Sequence, residues 1–553
     1  MEARILTLPE MIDRAAERYP EREAIVFRDE KITYKEVWDR SNKLAKGLLK
    51  LGVQKGDKVG ILITNRPEYA YSEWAIAKCG AIMVPIFSRF QTHDIEYILK
   101  TSDASTIIMM DRFAKLNYVE MLTEICPELP ESNPGSLKTK LLPLLKNVIC
   151  FSEDKKKHPG TFDFDEVMEL GSDYAQDDQL QTRQSTVKLD DIINIPYTAG
   201  TTGFPKGVMT NHEQYYREVV YLNEVWGINE KDSLLSCNPF VFNMGNMSVV
   251  VGATLVGARG VYIESWDPAE ALRLIDKEKV TCLYGFAAIY TSLLDHPDLA
   301  KYKFDSLKFA LISLPGVSNR EKLVERVKNE LGVKNLAQAY GMTENSGGTT
   351  STMLGDPLEV VANSVGKPFP DVELKIVDEE TGKEMPPGEE GELLTRGYIV
   401  MKGYYGKPEE AAKVIDKDGW FHTGDKAYFR PDGNLVIKGR IRDVVKTGGG
   451  LLISSAEIES IVAQNPKVKD VQVTGVPDPK RLEVPMAFVI LNEGQTATEE
   501  EIINFCKEQK VSSHKIPQHV MFVNSYPLSG IGKIQKFKLK DMAIEKLGLV
   551  KGA

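Results

Sequence analysis

The feature that most constrains the fold is a glycine- and threonine-rich segment, residues 197–208, that follows a short β-branched run. The run, residues 192–196 (Ile-Ile-Asn-Ile-Pro), predicts a buried strand, so the segment is predicted to be the loop that leaves its end. Glycines let backbone N–H groups turn towards a ligand, and threonine hydroxyls and a lysine attract phosphate oxygens. The composition therefore indicates a polyphosphate site, although an ordinary surface loop would explain the same composition.

The best-known nucleotide loop, the Walker A pattern G-x-x-x-x-G-K-[ST], does not fit this segment. Lys206 follows a proline and precedes Gly207. The Gly-Lys pairs at 366–367, 406–407 and 532–533 are followed by Pro, Pro and Ile, none of which offers a hydroxyl for Mg2+. A P-loop NTPase is therefore excluded.

The order of the residues is more informative than their composition. Residues 197–208, Tyr-Thr-Ala-Gly-Thr-Thr-Gly-Phe-Pro-Lys-Gly-Val, resemble the phosphate loop YTSGTTGxPKG of the adenylate-forming superfamily. Ala199 stands where serine is usual, so one hydroxyl donor is lost. The resemblance implies that this loop clamps the pyrophosphate of ATP through Thr198, Gly200, Thr201, Thr202, Gly203 and Lys206.

A second motif, residues 338–344 (Gln-Ala-Tyr-Gly-Met-Thr-Glu), follows a predicted strand over residues 333–336. Taken alone, it fits either a helix start with Thr343 as the N-cap or a ligand site with a carboxylate for Mg2+. It also resembles the superfamily motif YGxTE. That resemblance implies Gln338 beside the adenine amine, Tyr340 in the adenine site, Thr343 at the α-phosphate and Glu344 on Mg2+.

The third motif, residues 419–425 (Gly-Trp-Phe-His-Thr-Gly-Asp), resembles the GWxxTGD of the same superfamily. A carboxylate can accept hydrogen bonds from two ribose hydroxyls, whereas a plain turn aspartate is the structural alternative. The resemblance implies that Asp425 binds the ribose. His422 is expected to pack rather than to catalyse.

The fourth motif, residues 438–443, resembles the GRxxD segment that joins two domains in the superfamily. It implies that Arg440 bridges ribose and phosphate and that Arg442, where Asp or Lys is usual, is the hinge. The glycine turn that follows, residues 447–452, is one residue longer than the common pattern. The resemblance further implies a nucleotide contact at Ile437 and CoA contacts at Gly448 and Gly449.

The fifth motif, residues 527–534 (Pro-Leu-Ser-Gly-Ile-Gly-Lys-Ile), resembles P-x-T-x-x-G-K-[IV], with Ser529 in place of threonine. A lysine in a glycine-rich turn is usually solvated and without special function. The resemblance instead implies that Lys533 bridges the substrate carboxylate and the α-phosphate during adenylation.

Alternating strand and helix patterns predict an α/β fold. Apolar strands over residues 24–27, 59–63 and 81–85, with helices between them, favour parallel, doubly wound sheets, and the alternation is predicted to continue to about residue 435. With the resemblance, which covers nearly the whole chain, the expected architecture is a large N-terminal domain with mixed sheets and a small β subdomain, then a small mobile α+β C-terminal domain. The predicted domains are residues 1–440 and 441–553.

The acyl pocket is expected on residues 240–246, 285–288, 313–317 and 341–347. Gly341 replaces the tryptophan that closes the pocket of acetate-type members, and Phe242 replaces the usual histidine. These changes predict an apolar wall for a medium-chain, branched or cyclic/aryl carboxylate. No charge for an amino group is visible, so amino-acid activation is disfavoured. The candidate pocket residues are Phe242, Asn243, Gly285, Ser313, Gly341 and Met342, and Gly316 is a candidate nucleotide contact.

Composition excludes several other classes. The 553-residue chain has a formal net charge of −10, which argues against nucleic-acid binding. Six scattered cysteines without a C-x-x-C pair indicate reduced thiols, and an early charge at the N-terminus does not fit a signal peptide. The uncharged stretch 233–258 contains several asparagines and glycines, so it predicts a strand end and a buried helix rather than an integral membrane segment. A cytoplasmic location is expected.

The resemblance implies an acyl-CoA synthetase that converts a carboxylate, ATP and CoA into acyl-CoA, AMP and pyrophosphate, with Mg2+ as cofactor. Loading of a carrier protein, a non-catalytic acyl or nucleotide sensor, and luciferase-like oxidation of an adenylate stay open as alternatives. The expected partner is a small-molecule carboxylate, and a homodimer is a further open alternative.

Overall fold

A computed structural model describes residues 4–198, 205–314, 319–441, 444–446, 452–478, 481–509, 511, 513–528 and 534–549. Two seven-stranded sheets, each mostly parallel, form its centre. This arrangement confirms the predicted α/β class with mixed, doubly wound sheets.

The first sheet is parallel except at its edge, where the last two strands form an antiparallel hairpin. Its strands are short apolar runs that bury side chains on both faces, as parallel strands covered by helices do. In spatial order they are Asn335–Ala337, Phe309–Ser313, Cys282–Phe286, Ser233–Ser236, Arg259–Val261, Glu23–Phe27 and Glu30–Thr33.

The second sheet is also parallel except at one edge strand. Its strands alternate between two apolar clusters, one on each face. In spatial order they are Thr210–Asn211, Ile192–Asn194, Ile82–Pro85, Lys58–Leu62, Ala104–Met110, Asn147–Phe151 and Phe162–Asp163.

Helices separate and cover the sheets in five layers. The largest apolar cluster joins one face of each sheet to the helices between them, and two further clusters cover the outer faces. The α-helices of this part are Leu8–Arg18, Tyr34–Lys50, Pro67–Lys78, Thr92–Thr101, Tyr118–Ile125, Phe164–Leu170, Gln179–Ser185, His212–Val225, Asn243–Gly245, Ala253–Val256, Pro268–Lys277, Ala287–Leu294, Arg320–Glu330, Leu358–Asn363 and Pro408–Ala412.

The local sequence explains where helices begin. Thr33 has extended backbone, and its hydroxyl accepts a hydrogen bond from the backbone N–H of Glu36, whose side chain reaches back in a capping box. From the sequence alone, residues 32–34 (Ile-Thr-Tyr) predict the start of a helix that runs to Leu51. Because an N-cap is extended, Ile32 and Thr33 instead end the strand Glu30–Thr33, and the helix begins at Tyr34.

The uncharged stretch 233–258 forms the predicted strand and buried helix. After Ser233–Ser236, a continuous helical segment runs over Asn243–Gly245, a π-helical turn over Asn246–Gly252, and Ala253–Val256. Such π turns are rare and frequently occur at functional sites. Among the helices that the structure describes, none is long and apolar enough to cross a membrane.

The prediction that strand and helix alternate to about residue 435 is wrong. From Lys367 the chain is mainly antiparallel β, because its segments alternate apolar and polar residues and hydrogen-bond to sequence neighbours. Val372–Val377, Gly391–Gly397, Phe421–Phe429 and Leu435–Arg440 form a four-stranded sheet, which is the expected small β subdomain.

The C-terminal part has the predicted α+β composition. Strands Val468–Asp478 and Leu482–Leu491 pair antiparallel, and His519–Phe522 pairs parallel to the second. Two apolar clusters cover the two faces of this sheet. The surrounding helices and short strands are Val444–Lys446, Leu452–Ser454, Ser455–Val462, Glu499–Glu508 and Lys536–Leu547. The division into domains at residues 440 and 441 stays a prediction.

Candidate active site

The predicted nucleotide residues come from three separate parts of the chain. The hairpin Tyr197–Thr198 and Lys206–Gly207 follows the strand Ile192–Asn194, at the end where the predicted phosphate loop leaves it. Ala339–Tyr340 follows the strand Asn335–Ala337 of the other sheet, and Asp425 lies in the antiparallel subdomain. Strand ends therefore bring the first two segments towards one region, as expected for open α/β sheets, and the hydrogen bond between Tyr340 and Asp425 joins the third segment to them.

Glu344 connects two of these segments. It lies in the short 3-10 helix Thr343–Asn345, and its Oε1 atom accepts hydrogen bonds from the Thr198 hydroxyl at 3.4 Å and the Tyr404 hydroxyl at 3.2 Å. Its backbone carbonyl accepts one from the N–H of Met401 at 2.9 Å. Thr343 is the first residue of this helix and Met342 its N-cap, so the alternative with Thr343 as the N-cap is wrong.

The oxygen donors around Glu344 suit Mg2+. One carboxylate and two hydroxyls meet there, and Mg2+ prefers oxygen ligands. Within the described ranges, no group of three or more His, Cys, Asp or Glu side chains could hold a metal ion. A single carboxylate nevertheless fits, because Mg2+ is usually held by one or two carboxylates together with substrate phosphates.

Lys206 of the phosphate segment is bound to a carboxylate. Its Nζ atom lies 2.8 Å from Glu410 Oε2 and 5.0 Å from the centre of the Tyr404 ring. Hydrogen bonds from Lys206 and Lys413 lower the pKa of Glu410 to about 2. The lysine that is predicted to contact pyrophosphate is thus already paired with an ionised side chain.

Tyr340 and Asp425 are also paired. The Tyr340 hydroxyl donates a hydrogen bond to Asp425 Oδ2, and the Asp425 N–H donates to the Thr423 hydroxyl at 3.0 Å. Asp425 is buried and stands opposite Arg440 in the strand register, which the structure describes for the Arg440 backbone. Tyr340 and Ile437 border the same apolar cluster, so the strand of the predicted adenine residue packs beside the sheet that carries Asp425.

Gln338 provides an acceptor without a partner. Its side chain is buried, and its Oε1 atom makes no hydrogen bond to any residue that the structure describes. Its backbone N–H donates to the Thr352 hydroxyl at 2.9 Å, which fixes the strand end. An unpartnered buried amide oxygen suits an amine donor such as that of adenine.

Some of the residues predicted to line the acyl pocket lie next to one another in the structure. Phe242 packs on Phe87 with ring centres 5.3 Å apart, and Asn243 donates a hydrogen bond to the Ser346 carbonyl. Gly285 is buried near the end of the strand Cys282–Phe286, where an added Cβ would lie 2.9 Å from Ile289 Cγ2. Ser313 ends the neighbouring strand, and Met342 packs against the cluster around Tyr404.

Gly341 has a different explanation from the predicted one. A Cβ added at this position would lie 1.7 Å from the carbonyl oxygen of Gly347, far inside contact distance. The backbone of Gly347 therefore fills the place where a side chain would stand. Glycine is required here by this close approach, and its lack of a side chain does not itself open a pocket.

Four side chains that sequence reasoning missed lie at or beside these residues. Tyr404 and Glu410 contact Glu344 and Lys206, whereas Glu73 and Glu218 are buried near Asn243 and Asn246. The one sequence signal for Glu73 is that a charged residue is uncommon within a helix of mostly apolar residues. Nothing comparable marks Tyr404 or Glu410, since their partners are distant in sequence.

Several predicted residues lie outside the described residues. These are Gly200, Thr201, Thr202, Gly203, Gly316, Arg442, Gly448, Gly449 and Lys533.

Two family models match the chain. The model of AMP-binding enzymes matches residues 12–405, and the model of the AMP-binding enzyme C-terminal domain matches residues 457–533. The second match contains the segment of Lys533.

Known proteins match over almost the full length. The putative acyl-CoA synthetase YngI of Bacillus subtilis (strain 168) is 36% identical over 98% of both chains. The mitochondrial medium-chain acyl-CoA ligase ACSF2 of Homo sapiens is 35% identical over 98% of this chain and 88% of its own. A crystal structure of the anthranilate CoA ligase AuaEII in complex with anthranoyl-AMP matches with a TM-score of 0.83 and 27% identity, covering 99% of each chain.

Proposed function

The chain belongs to the AMP-binding enzymes of the adenylate-forming superfamily and is an AMP-forming carboxylic acid–CoA ligase, and from this premise we propose that its acid is a medium-chain, branched or cyclic/aryl carboxylate. The reaction joins the acid to ATP as an acyl-adenylate and then transfers the acyl group to CoA. The proteins of similar sequence and structure include ligases named for medium-chain and anthranilate substrates.

The observation that carries the adenylation step is the meeting of Thr198, Tyr404 and Glu344. Thr198 and Glu344 are 146 positions apart in the chain, yet their side chains lie 3.4 Å apart. The pair Tyr340–Asp425 and the unpartnered oxygen of Gln338 extend the same region towards a ribose and an adenine. This is a set of groups that a nucleotide would use from end to end.

The first half-reaction joins two anions. A carboxylate oxygen forms a bond to the α-phosphorus while the bond to the bridging oxygen of pyrophosphate breaks, so the residues mainly position the reactants and offset negative charge. Lys533 and Thr343 hold the α-phosphate oxygens, and Lys206 with the loop 200–203 holds the leaving pyrophosphate. When bound at Glu344, Mg2+ supplies further positive charge to the phosphates.

The second half-reaction needs a thiol in place of Lys533. The CoA sulfur attacks the acyl carbonyl carbon and AMP leaves, so a lysine that serves adenylation has no task in this step. We assign residues 441–553 to a mobile domain that turns about Arg442 and presents Gly448 and Gly449 to CoA. The separate family-model matches on either side of residues 406–456 support this division.

An apolar set of rings supports the class of acid. Phe87 packs edge-to-face on Phe90 with ring centres 5.6 Å apart, and Phe242 also packs on Phe87. Such a group is suited to cover aliphatic or aromatic carbons. Acetate would leave this surface without contact.

The test is AMP release with ATP and free CoA over fatty, branched, cyclic and aryl acids. We expect turnover with acids of medium length or with a ring, and little with acetate. Turnover with acetate alone would contradict the proposed acid class. Acyl transfer to a carrier protein but not to CoA would favour the loading enzyme. A lack of carboxylate-dependent ATP–pyrophosphate exchange with every acid would favour a sensor.

A further inference from the structure

Buried polar atoms without partners gather around the helical segment that begins at Asn243. Five such side-chain atoms lie on or beside it, and none of them hydrogen-bonds to another residue that the structure describes: Glu73 Oε1, Asn194 Oδ1, Glu218 Oε2, Asn238 Nδ2 and Asn246 Oδ1. Native interiors leave few polar groups unpaired, so a group of them indicates bound water or a polar ligand. The candidate acyl pocket is therefore not bounded by apolar groups alone.

Glu218 lies beside Asn243 and Gly347, which belong to two of the segments expected to form the pocket. It projects from the helix His212–Val225 and is 2% exposed. Its Oε1 atom lies 2.8 Å from the point where a Cβ at Gly347 would stand, and Asn243 Cβ lies 3.1 Å from the same point. Glycine at 347 thus leaves room for the carboxyl beside Asn243.

The two oxygens of Glu218 differ in their contacts. Oε1 faces the backbone of Gly348 and lies 2.9 Å from the point where a Cβ at Gly348 would stand, while Oε2 has no partner among the described residues. Burial raises the pKa of Glu218 well above its usual value. A neutral carboxyl carries one proton, and Oε2, the oxygen without a partner, is free to carry it as an O–H donor towards a ligand.

Glu73 has a similar arrangement beside Asn246. Its Oε2 atom accepts a hydrogen bond from Asn246 Nδ2 at 2.6 Å, and its Oε1 atom has no partner in the described part of the chain. Glu73, Asn194 and Tyr215 line one small cavity, and the Tyr215 hydroxyl lies 3.4 Å from Asn243 Oδ1. Polar groups therefore continue from the candidate pocket into the interior.

We propose that Glu218 is a specificity-determining residue of the acyl pocket, and that the preferred acid carries an oxygen acceptor, a hydroxyl or a keto group, on its acyl part. This inference rests on the proposed function. A plain methylene would leave the Glu218 O–H unpaired, whereas an acyl oxygen would accept its hydrogen bond. A site built around a polar group discriminates strongly against analogues that lack the matching group.

The first experiment uses the wild-type protein. AMP release with ATP and CoA is measured for hexanoate, octanoate and benzoate, and for their hydroxylated, oxo-substituted and aminated analogues. We expect the best oxygenated acid to exceed its unsubstituted parent in kcat/KM by roughly tenfold or more. Equal kcat/KM for the oxygenated acids and their parents would mean that the buried polar atoms bind only water, and this would overturn the inference. A preference for the aminated acids would overturn it as well. No release with any acid would instead refute the proposed function.

The second experiment tests the residue. Glu218→Leu should abolish the preference for the oxygenated acid, while Glu218→Gln, which keeps a donor at the same place, should retain most of it. Glu224→Gln on the exposed side of the same helix is the matched control. A preference that persists in Glu218→Leu would overturn the assignment to this residue.

A spectroscopic readout covers the case in which Glu218→Leu fails to fold. The infrared C=O band of a protonated carboxyl that is lost in Glu218→Gln should shift when the wild-type protein binds the oxygenated acid. It should stay in place with the unsubstituted acid. A band that is unmoved by both acids would contradict direct contact.

Discussion

Polar side chains are arranged differently in two neighbouring regions of the molecule. Around Glu344 they are paired with one another: Thr198 and Tyr404 with Glu344, Lys206 with Glu410, and Tyr340 with Asp425. Around Asn243 and Asn246 several buried polar atoms have no partner among the described residues. Paired groups can exchange an internal partner for a ligand at little cost, whereas unpaired buried groups gain a hydrogen bond outright when a ligand or water arrives.

The largest effect on activity should come from removing the positive charge of Lys533, which belongs to neither of the two regions. Lys533→Ala should lower the rate of ATP-dependent adenylate formation roughly 100- to 1,000-fold, since positive charge at the α-phosphate is lost in the transition state. Reaction of preformed acyl-adenylate with CoA should change less than about threefold. Single-turnover measurements of the two half-reactions distinguish these outcomes, with Lys538→Ala as the exposed control. Equal loss of both half-reactions would contradict the assigned role.

Asp425→Ala tests whether the paired region serves the nucleotide alone. Asp425 now binds the Tyr340 hydroxyl and is proposed to exchange it for ribose hydroxyls. Its removal should raise KM for ATP roughly 10- to 100-fold and leave KM for the acid within about threefold, because a charge-assisted hydrogen bond is lost. Steady-state kinetics with each substrate varied provide the measurement, and Asp418→Ala is the exposed control. A larger change in KM for the acid would mean that Asp425 also serves acid binding, so that the two regions would not be functionally separate.

Glu410→Gln sharpens the idea of partner exchange. Glu410 competes with polyphosphate for Lys206, so removal of its charge should lower KM for ATP by about three- to tenfold and strengthen product inhibition by pyrophosphate. The exposed neighbour Glu409 provides the control Glu409→Gln. A rise in KM for ATP would mean that Glu410 orients Lys206 for binding, and exchange would be excluded.

The smallest effect concerns stability in the unpaired region. Burial raises the pKa of Glu73 from 4.5 to about 8, and its titratable neighbours Tyr69, Tyr215 and Tyr262 are kept neutral by burial. The folded state therefore holds a proton that the unfolded chain releases above its ordinary pKa. Stability from this group is complete below pH 4.5 and is lost as the pH rises towards 8.

Glu73→Gln should remove this dependence. The difference in Tm between the variant and the wild type should shift in favour of the variant by about a few degrees as the pH is raised from acidic to mildly alkaline. Thermal unfolding across this pH range is the measurement. A difference in Tm that stays constant with pH would show that Glu73 is not buried as a neutral acid.

The paired region could be predicted from the sequence because its key residues fall in short contiguous motifs. Tyr340, Thr343 and Glu344 lie within five positions, and the strand Ile192–Asn194 falls inside the apolar run predicted over residues 192–196. The partners of these residues were missed. Lys206 and Glu410 are 204 positions apart, and only the folded chain decides that they meet.

The unpaired region could not be predicted, because its character depends on packing between distant segments. Phe242 indicated an apolar wall, yet Glu218 approaches Gly347 from a helix more than a hundred positions earlier. Gly341 illustrates the same limit. A missing side chain suggests space, but the backbone of Gly347 occupies it.

The strand order of the first sheet has a consequence for folding during translation. The strand Glu23–Phe27 lies between the hairpin strand that follows it and Arg259–Val261, and Tyr262 donates a backbone hydrogen bond to Val26 at 2.8 Å. While the ribosome is still making the intervening residues, this strand has an open edge and no parallel neighbour. The second sheet can form earlier, so nascent chains should expose one unpaired apolar edge until residue 262 has emerged.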